Sequence, residues 1–211
     1  MESQIATSLG WKLLVTMDEI GKANQRLADQ INTQFKGKNL IIVCVLKGAV
    51  YFFVDLTRML TVDHSQYFIE ASSYKNAQTQ SEEVELLSKI IPSKFEDKVV
   101  LLLDELFDNG ATMFNVKQKI IQTTTVKEED IYTCTLFKKD KETNYPPPDL
   151  FGLSICNVWV VGYGLDDKQT KRQWVNLYAV PKPPTMTKEE DDQLFEDEVY
   201  YKQVRDKIIT A

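Results

Sequence analysis

An α/β fold, a mainly parallel twisted sheet flanked by helices, is what the sequence predicts. Apolar runs of strand length recur along the 211 residues, and segments with helical spacing lie between several of them. The runs are continuous and not alternating, as expected of strands buried on both faces by crossover helices. In such folds ligands sit beyond the carboxyl ends of the strands, so the residues that end each run are candidate site residues.

In chain order, residues 17–35 read as a helix whose first turn carries Asp18 and Glu19, acids that suit a helix N-terminus. LIIVCVL at 40–46 is a buried strand ending in Lys47-Gly48, and 50–60 is a second helix. A strand at 67–71 is followed by SSYKNAQTQSEEVELLS at 72–88, polar and without either periodicity. That length favours a mobile functional loop, a lid. Residues 99–103 form the next strand, 112–123 a helix, 131–137 a strand ending before Lys138-Lys139, and 158–161 (VWVV) another. The proline-rich stretch 144–149 marks a turn. Pro181 to Pro184 closes the core, and Thr187-Lys188-Glu189-Glu190 opens an acidic helical tail running to about Ile209.

The chain length suffices for one core, and a formal charge of −6 with a pI near 5.0 argues against nucleic acid or an acidic membrane surface as partner. No run reaches the roughly 20 residues of a membrane span, and no signal-peptide core follows the N-terminus. Cys44, Cys134 and Cys156 each sit in or beside an apolar run and read as reduced core residues. With one histidine, His64, imidazole triads and multi-histidine zinc sites are excluded. The expected setting is the cytoplasm.

The chemistry concentrates in VVLLLDELFDNGATM, residues 99–113. A buried strand that ends in Asp104 and Glu105 must meet something that wants negative charge, because unpaired charges out of water are costly. The turn Asp108-Asn109-Gly110-Ala111-Thr112 leads into a helix, where unpaired backbone N–H groups suit a phosphate. Two carboxylates just upstream suit the hydroxyls of a ribose, so a sugar phosphate would span the turn. A metal-binding or phosphoacceptor carboxylate cluster is the alternative reading of the same acids.

This segment resembles the phosphoribosyl-diphosphate signature of type I phosphoribosyltransferases. VLKGAVYFFVDL (45–56), ASSY (71–74), LFKKD (136–140) and NVWVVGYGLDD (157–167) followed by Lys171-Arg172 narrow the resemblance to the hypoxanthine-guanine(-xanthine) phosphoribosyltransferases, over about residues 41–180. The resemblance implies the type I fold in a 1–184 domain. A small hood would be built from the N-terminal residues and the segment near 150–180, and residues 185–211 would add an acidic helix. It implies transfer of the 5-phosphoribosyl group from phosphoribosyl diphosphate to a 6-oxopurine (hypoxanthine, guanine or xanthine), giving a nucleoside monophosphate and pyrophosphate with Mg2+, in a homodimer or homotetramer.

It also implies roles. Asp108 handles the purine N7 proton. Lys138 meets the 6-oxygen, with Lys139 a rival for that place. Asp104 and Glu105 face the ribose, in an order reversed from the commoner Glu-Asp. Asn109, Gly110, Ala111 and Thr112 hold the 5-phosphate; Ala111 stands where many relatives have Lys and Asn109 where Thr is usual, so main-chain amides carry more of the contact. Lys47, Gly48, Arg172, Ser73 and Tyr74 serve the pyrophosphate, the last two at a lid tip. Trp159 stacks on the base, main-chain groups of Val160 and Asp166 read its 2-position, and Asp166 is a metal ligand, with Asp104 and Glu105 as further candidates and Asp167 as a neighbour able to replace it. A non-catalytic phosphoribosyl-diphosphate- or nucleotide-binding regulator of the same fold is the second reading.

Overall fold

The computed structural model describes residues 2–75 and 82–180, with the side chains of 72–85 outside that description. The C-terminal segment expected to form the acidic helix, 185–211, lies outside the described residues. Nine strands and four α-helices follow the order α1 (Glu2–Ser8), β1 (Lys12–Val15), α2 (Met17–Gln34), β2 (Leu40–Leu46), α3 (Val50–Met59), β3 (His64–Lys75), β4 (Glu82–Leu86), β5 (Val99–Phe107), α4 (Ala111–Thr123), β6 (Ile131–Lys139), β7 (Leu150–Ile155), β8 (Trp159–Val161) and β9 (Leu177–Val180) among the described residues.

The main sheet has six strands in the order β4-β3-β2-β5-β6-β7. β3, β2, β5, β6 and β7 run parallel, and β4 returns antiparallel along β3. The central strands are apolar on both faces because both faces are covered. α2 and α3 pack with Leu101, Leu103 and Leu136 on one side, and Met113, Val116 and Ile120 of α4 pack with Val100 and Leu102 on the other. α2 starts where expected because Thr16 and Glu19 form a reciprocal capping box, Glu19 N–H donating to the Thr16 hydroxyl while the Glu19 carboxylate accepts from Thr16 N–H.

A second, three-stranded sheet, β1-β9-β8, is antiparallel. It joins the N-terminal strand to the end of the described chain and packs Val160, Leu177 and Ala179 onto the core that holds α2 and α3. Of the 150–180 segment expected to build this hood, Leu150–Ile155 instead joins the main sheet beside β6. Its one glycine, Gly152, allows that, since a Cβ there would lie 2.8 Å from the Leu136 carbonyl oxygen. The stretch read as a loop at 72–88 is likewise largely strand: Ala71 to Lys75 pair with Leu86 to Glu82. Ladder hydrogen bonds need no apolar alternation, so a polar two-stranded arm leaves no periodic signal.

From β2 the chain winds to β3 on one side, and from β5 to β6 and β7 on the other. The direction therefore reverses between β2 and β5, which is where open α/β sheets bind ligands. The hood meets the sheet at that point. Gly164 (φ +101°) lies so close to Gly48, just past β2, that a Cβ on Gly164 would stand 2.1 Å from the Gly48 carbonyl oxygen. Gly164→Ala is expected to lower stability by about 1–3 kcal/mol, the range for a non-glycine held in such a conformation. Urea unfolding of the variant against the parent checks it.

Candidate active site

β5 continues past the expected end at Leu103, so Asp104 and Glu105 lie inside the strand, Asp104 pairing with Thr135 of β6. Asp104 is buried, and its carboxylate accepts from the Glu105 N–H at 3.0 Å. Burial first, and then the Glu105 carboxylate beside it, pushes Asp104 well above the usual carboxylate range. A protonated Asp104 both donates and accepts, which suits a hydroxyl partner in either sense. Glu105 turns toward the end of β2: a Cβ on Gly48 would fall 1.8 Å from Glu105 Oε1. Lys47, joined to Leu46 by a cis peptide bond, places its ammonium 3.5 Å from Glu70 of β3.

Beyond β5 the chain turns through Asp108-Asn109-Gly110 into α4. Gly110 caps the helix at φ +90°, and its bare Cα is required, because a Cβ would meet the Phe107 ring at 2.7 Å and Tyr145 Cβ at 2.8 Å. The Asn109 side-chain oxygen accepts the Ala111 N–H at 2.9 Å. No side-chain cap hydrogen bond comes from Gly110, and Thr112 stands half-buried at the next position of the first turn.

Asp108 receives two cations from the end of β6. The ammonium of Lys139, itself buried, donates to Asp108 Oδ2 at 2.9 Å, and Lys141 pairs with Oδ1. Burial acts to raise the Asp108 titration, but the bonded Lys141 and Lys139 ammoniums outweigh it and hold the carboxyl below its usual range. Lys138, one residue earlier, points elsewhere, with its ammonium 5.5 Å from the Phe151 ring centre.

On the hood side Trp159 is 53% exposed while Val160 is buried. Arg172 ties the following loop together: one guanidinium nitrogen is 2.5 Å from Asp166 Oδ1 and the other donates to the Gly164 carbonyl at 2.7 Å. Asp166 also accepts from Gln169 N–H at 2.7 Å, and Lys171 pairs with Asp167. A buried network that sequence reading missed braces this loop on two helices. Tyr163, 5% exposed, donates to Asp55 of α3 at 2.7 Å and accepts from Asn24 of α2 at 2.9 Å. Asn24 was legible only as a polar residue among apolar positions of an amphipathic helix, and Asp55 only as an acid in an apolar one.

The structure thus brings Glu105 to Gly48, Gly48 to the loop of Asp166 and Arg172, and Asp108 to Lys139 and Lys141. Ser73 and Tyr74 fall in β3 opposite Val84 and Glu83, and their side chains lie outside the described residues. No group of three or more His, Cys, Asp or Glu side chains among the described residues could hold a metal unaided. The donor set fits a magnesium ion that takes one or two carboxylates and draws its other oxygens from a substrate and water. The three cysteines are buried and unpaired, with burial pushing the Cys44 thiol up to about 12 and Cys156 to about 11.

A family model described as a phosphoribosyl transferase domain matches residues 10–168. The chain belongs to the phosphoribosyltransferase family. This phosphoribosyltransferase is 31% identical over 157 residues to the hypoxanthine-guanine-xanthine phosphoribosyltransferase of Tritrichomonas foetus, spanning 74% of this chain and 83% of that one. To the hypoxanthine phosphoribosyltransferase of Escherichia coli K12 it is 30% identical over 166 residues, covering 76% and 90%. A crystal structure of a Staphylococcus aureus hypoxanthine phosphoribosyltransferase superposes with a TM-score of 0.71 at 25% identity, covering 83% of this chain and 94% of that one. That of the Trypanosoma cruzi enzyme in complex with the product IMP gives 0.70 at 27%, covering 83% and 96%. The type I fold expected from the signature is therefore the fold of this phosphoribosyltransferase.

The depressed titration of Asp108 has a signed consequence. A carboxyl whose folded value lies below its unfolded one, near 3.8, adds stability that is fully present above the unfolded value and is lost as pH falls through the folded value. Asp108→Asn is expected to lower the urea midpoint at pH 7, with the gap to the parent closing as pH drops below about 4. Unfolding curves of both proteins from pH 7 to 3 measure this.

Proposed function

We propose that this phosphoribosyltransferase salvages 6-oxopurines, moving the 5-phosphoribosyl group from phosphoribosyl diphosphate to hypoxanthine or guanine, with xanthine a third acceptor. The observation that carries the reading is the carboxylate of Asp108, held ionised by Lys139 and Lys141 one turn from a helix N-terminus and next to the acidic end of β5. The relatives' names supply the class of base.

In this reading the amides from Asn109 to Thr112, at the positive end of α4, hold the 5-phosphate. Asp104 and Glu105 bond the ribose hydroxyls, and Glu105 stabilises positive charge that grows on the sugar as the C1–O bond breaks. Lys47, the Gly48 amide and Arg172 face the departing pyrophosphate, with Ser73 and Tyr74 of the β3–β4 arm closing over it to exclude water. Trp159, half open on β8, stacks on the purine, and main-chain groups of Val160 and Asp166 read its 2-position. Lys139, the rival to Lys138 for this place, is the lysine that reaches Asp108 and donates to the 6-oxygen, while Lys138 turns to Phe151 on the other face of β6. A 6-amino group would set donor against donor there, which selects against adenine. Asp108 accepts the proton that leaves N7 as the new bond forms at N9. Magnesium, when bound through Asp166 or the Asp104–Glu105 pair, would neutralise charge on the leaving pyrophosphate.

Self-association into dimers or tetramers belongs to the same proposal, supported by Tyr51 of α3 and Phe68 of β3, which remain exposed. So does a cytoplasmic setting, supported by three free cysteines and by the lack, among the described residues, of a helix long and apolar enough to cross a membrane.

The test is nucleotide formation from phosphoribosyl diphosphate and magnesium with hypoxanthine, guanine, xanthine, adenine or orotate. Turnover of hypoxanthine and guanine is expected, with none of adenine or orotate. Asp108→Asn should cut kcat by about 10²–10⁴-fold, the usual contribution of a positioned general base. Intact binding of phosphoribosyl diphosphate without turnover of any oxopurine would replace this reading with the regulatory one.

A further inference from the structure

The loop that carries Arg172 is held by the N-terminal segment. Glu2, half-buried in α1, sends its carboxylate to the run just after Arg172. Its Oε2 accepts from the Val175 N–H at 3.0 Å. Its Oε1 accepts from the Asn176 N–H at 3.3 Å, from the Asn176 side chain and from the Tyr178 hydroxyl at 3.2 Å. Hydrogen bonds to a charged acceptor are roughly twice as strong as neutral ones. Just before Arg172, the Lys171 ammonium pairs with Asp167 and stands 5.1 Å from the centre of the Trp11 ring, within reach of attraction to the aromatic face. Trp11 in turn packs on Trp174, ring centres 5.6 Å apart. The N-terminal segment therefore grips the chain on both sides of Arg172.

Backbone contacts carry that grip into the site. Tyr163 N–H donates to the Trp174 carbonyl and Gly164 N–H to the Arg172 carbonyl, each at 2.8 Å. Gly162 lies against the same run, since a Cβ there would stand 2.1 Å from the Asn176 carbonyl oxygen. The Arg172 guanidinium then closes on the Gly164 carbonyl and Asp166, and Gly164 lies on Gly48. We propose that Glu2 is a positioning residue for phosphoribosyl diphosphate binding: with Trp11 it clasps the 171–176 segment, so that Arg172 and Asp166 are in place before the substrate arrives. The proposal rests on the reading of Arg172 and Asp166 as pyrophosphate and metal residues. A loop already held loses little freedom when the ligand binds, so the clasp acts on affinity and not on bond breaking.

The experiment uses the full chain and measures binding of phosphoribosyl diphosphate with magnesium by calorimetry, beside steady-state kinetics with hypoxanthine. Glu2→Ala is expected to raise both Kd and KM for phosphoribosyl diphosphate about 3–10-fold, as for a change acting through intervening contacts, with kcat within about twofold. Loss of folded protein alone would lower kcat and leave Kd unmoved, so the split separates positioning from general support. Glu2→Gln, which keeps one acceptor oxygen, should recover part of the affinity. Trp11→Phe should bind more tightly than Trp11→Leu, because a ring still faces Lys171. In an Arg172→Gln background, Glu2→Ala should weaken binding by less than about twofold, since its effect runs through the missing guanidinium. If Glu2→Ala does not fold, Glu2→Gln carries the same comparison. A folded Glu2 variant whose Kd stays within about twofold of the parent, or whose loss is equal with and without Arg172, would overturn the proposal. A parent that does not bind phosphoribosyl diphosphate, or an Arg172→Gln variant that binds it as the parent does, would instead overturn the reading beneath it.

Discussion

The contact on which the site depends is made at Gly48. Three segments far apart in the chain converge on a residue with no side chain: the end of β2 supplies Gly48, β5 sends the Glu105 carboxylate against its Cα, and the hood lays Gly164 on its carbonyl. A Cβ at either glycine would separate the parts that must act together. This junction sits where the winding of the sheet reverses, so a crevice exists there before any side chain is considered. The glycines let three walls of that crevice approach to contact distance. The Tyr163–Asp55–Asn24 network then ties the hood wall to α3 and α2, so that the loop bearing Asp166 and Arg172 is braced from behind as well as at its tip.

Charge is distributed around that junction in a way the net charge conceals. The chain carries −6 overall, but Lys139, Lys141 and Arg172 are all turned inward onto carboxylates or carbonyls of the site. The two acidic groups respond in opposite directions. Asp104 has deep burial and a like-charged neighbour and is pushed toward its neutral form; Asp108 is less buried and has two ammoniums, and is held in its ionised form. One strand end thus presents a carboxyl suited to exchanging hydrogen bonds with hydroxyls and, four residues on, a carboxylate suited to accepting a proton. Environments that drive neighbouring acids apart are a means of assigning separate roles to chemically similar groups.

Much of this was legible in the sequence where one local rule decides the outcome. Continuous apolar runs placed β2, β5 and β6, the acids Asp18 and Glu19 marked the start of α2, and the acids ending VVLLLDELFDNGATM marked the site. Reading failed where tertiary contact overrides local pattern. β7 (LFGLSI) hides behind a glycine that only the nearness of the Leu136 carbonyl explains, and β1 and β9 are too short to show a period, whereas VWVV did announce β8. The β3–β4 arm is polar and so invisible to a search for apolar alternation. The side-chain division between Lys138 and Lys139 is the sharpest case. Both residues end the same strand, and no spacing rule says which reaches Asp108; the pleat sends one to Phe151 and the other to the carboxylate. Asn24, Asp55 and Tyr163 were unreadable for the same reason, since their bond joins residues 139 and 108 positions apart.

The turn before α4 carries the last consequence of composition. A helix N-terminus offers its first amides to an anion, but here the Asn109 side chain already holds the Ala111 N–H. That bond keeps the turn in shape without a lysine or threonine reaching across it, and it gives the loop rigidity from within its own three residues. It also means that a phosphate oxygen approaching Ala111 must exchange with a carboxamide oxygen, trading a neutral hydrogen bond for a charge-assisted one, roughly twice as strong. The exchange favours the dianion over water, which can offer only another neutral bond. In the proposed reading, the Asn109 carboxamide therefore favours a charged ligand over water at the Ala111 amide.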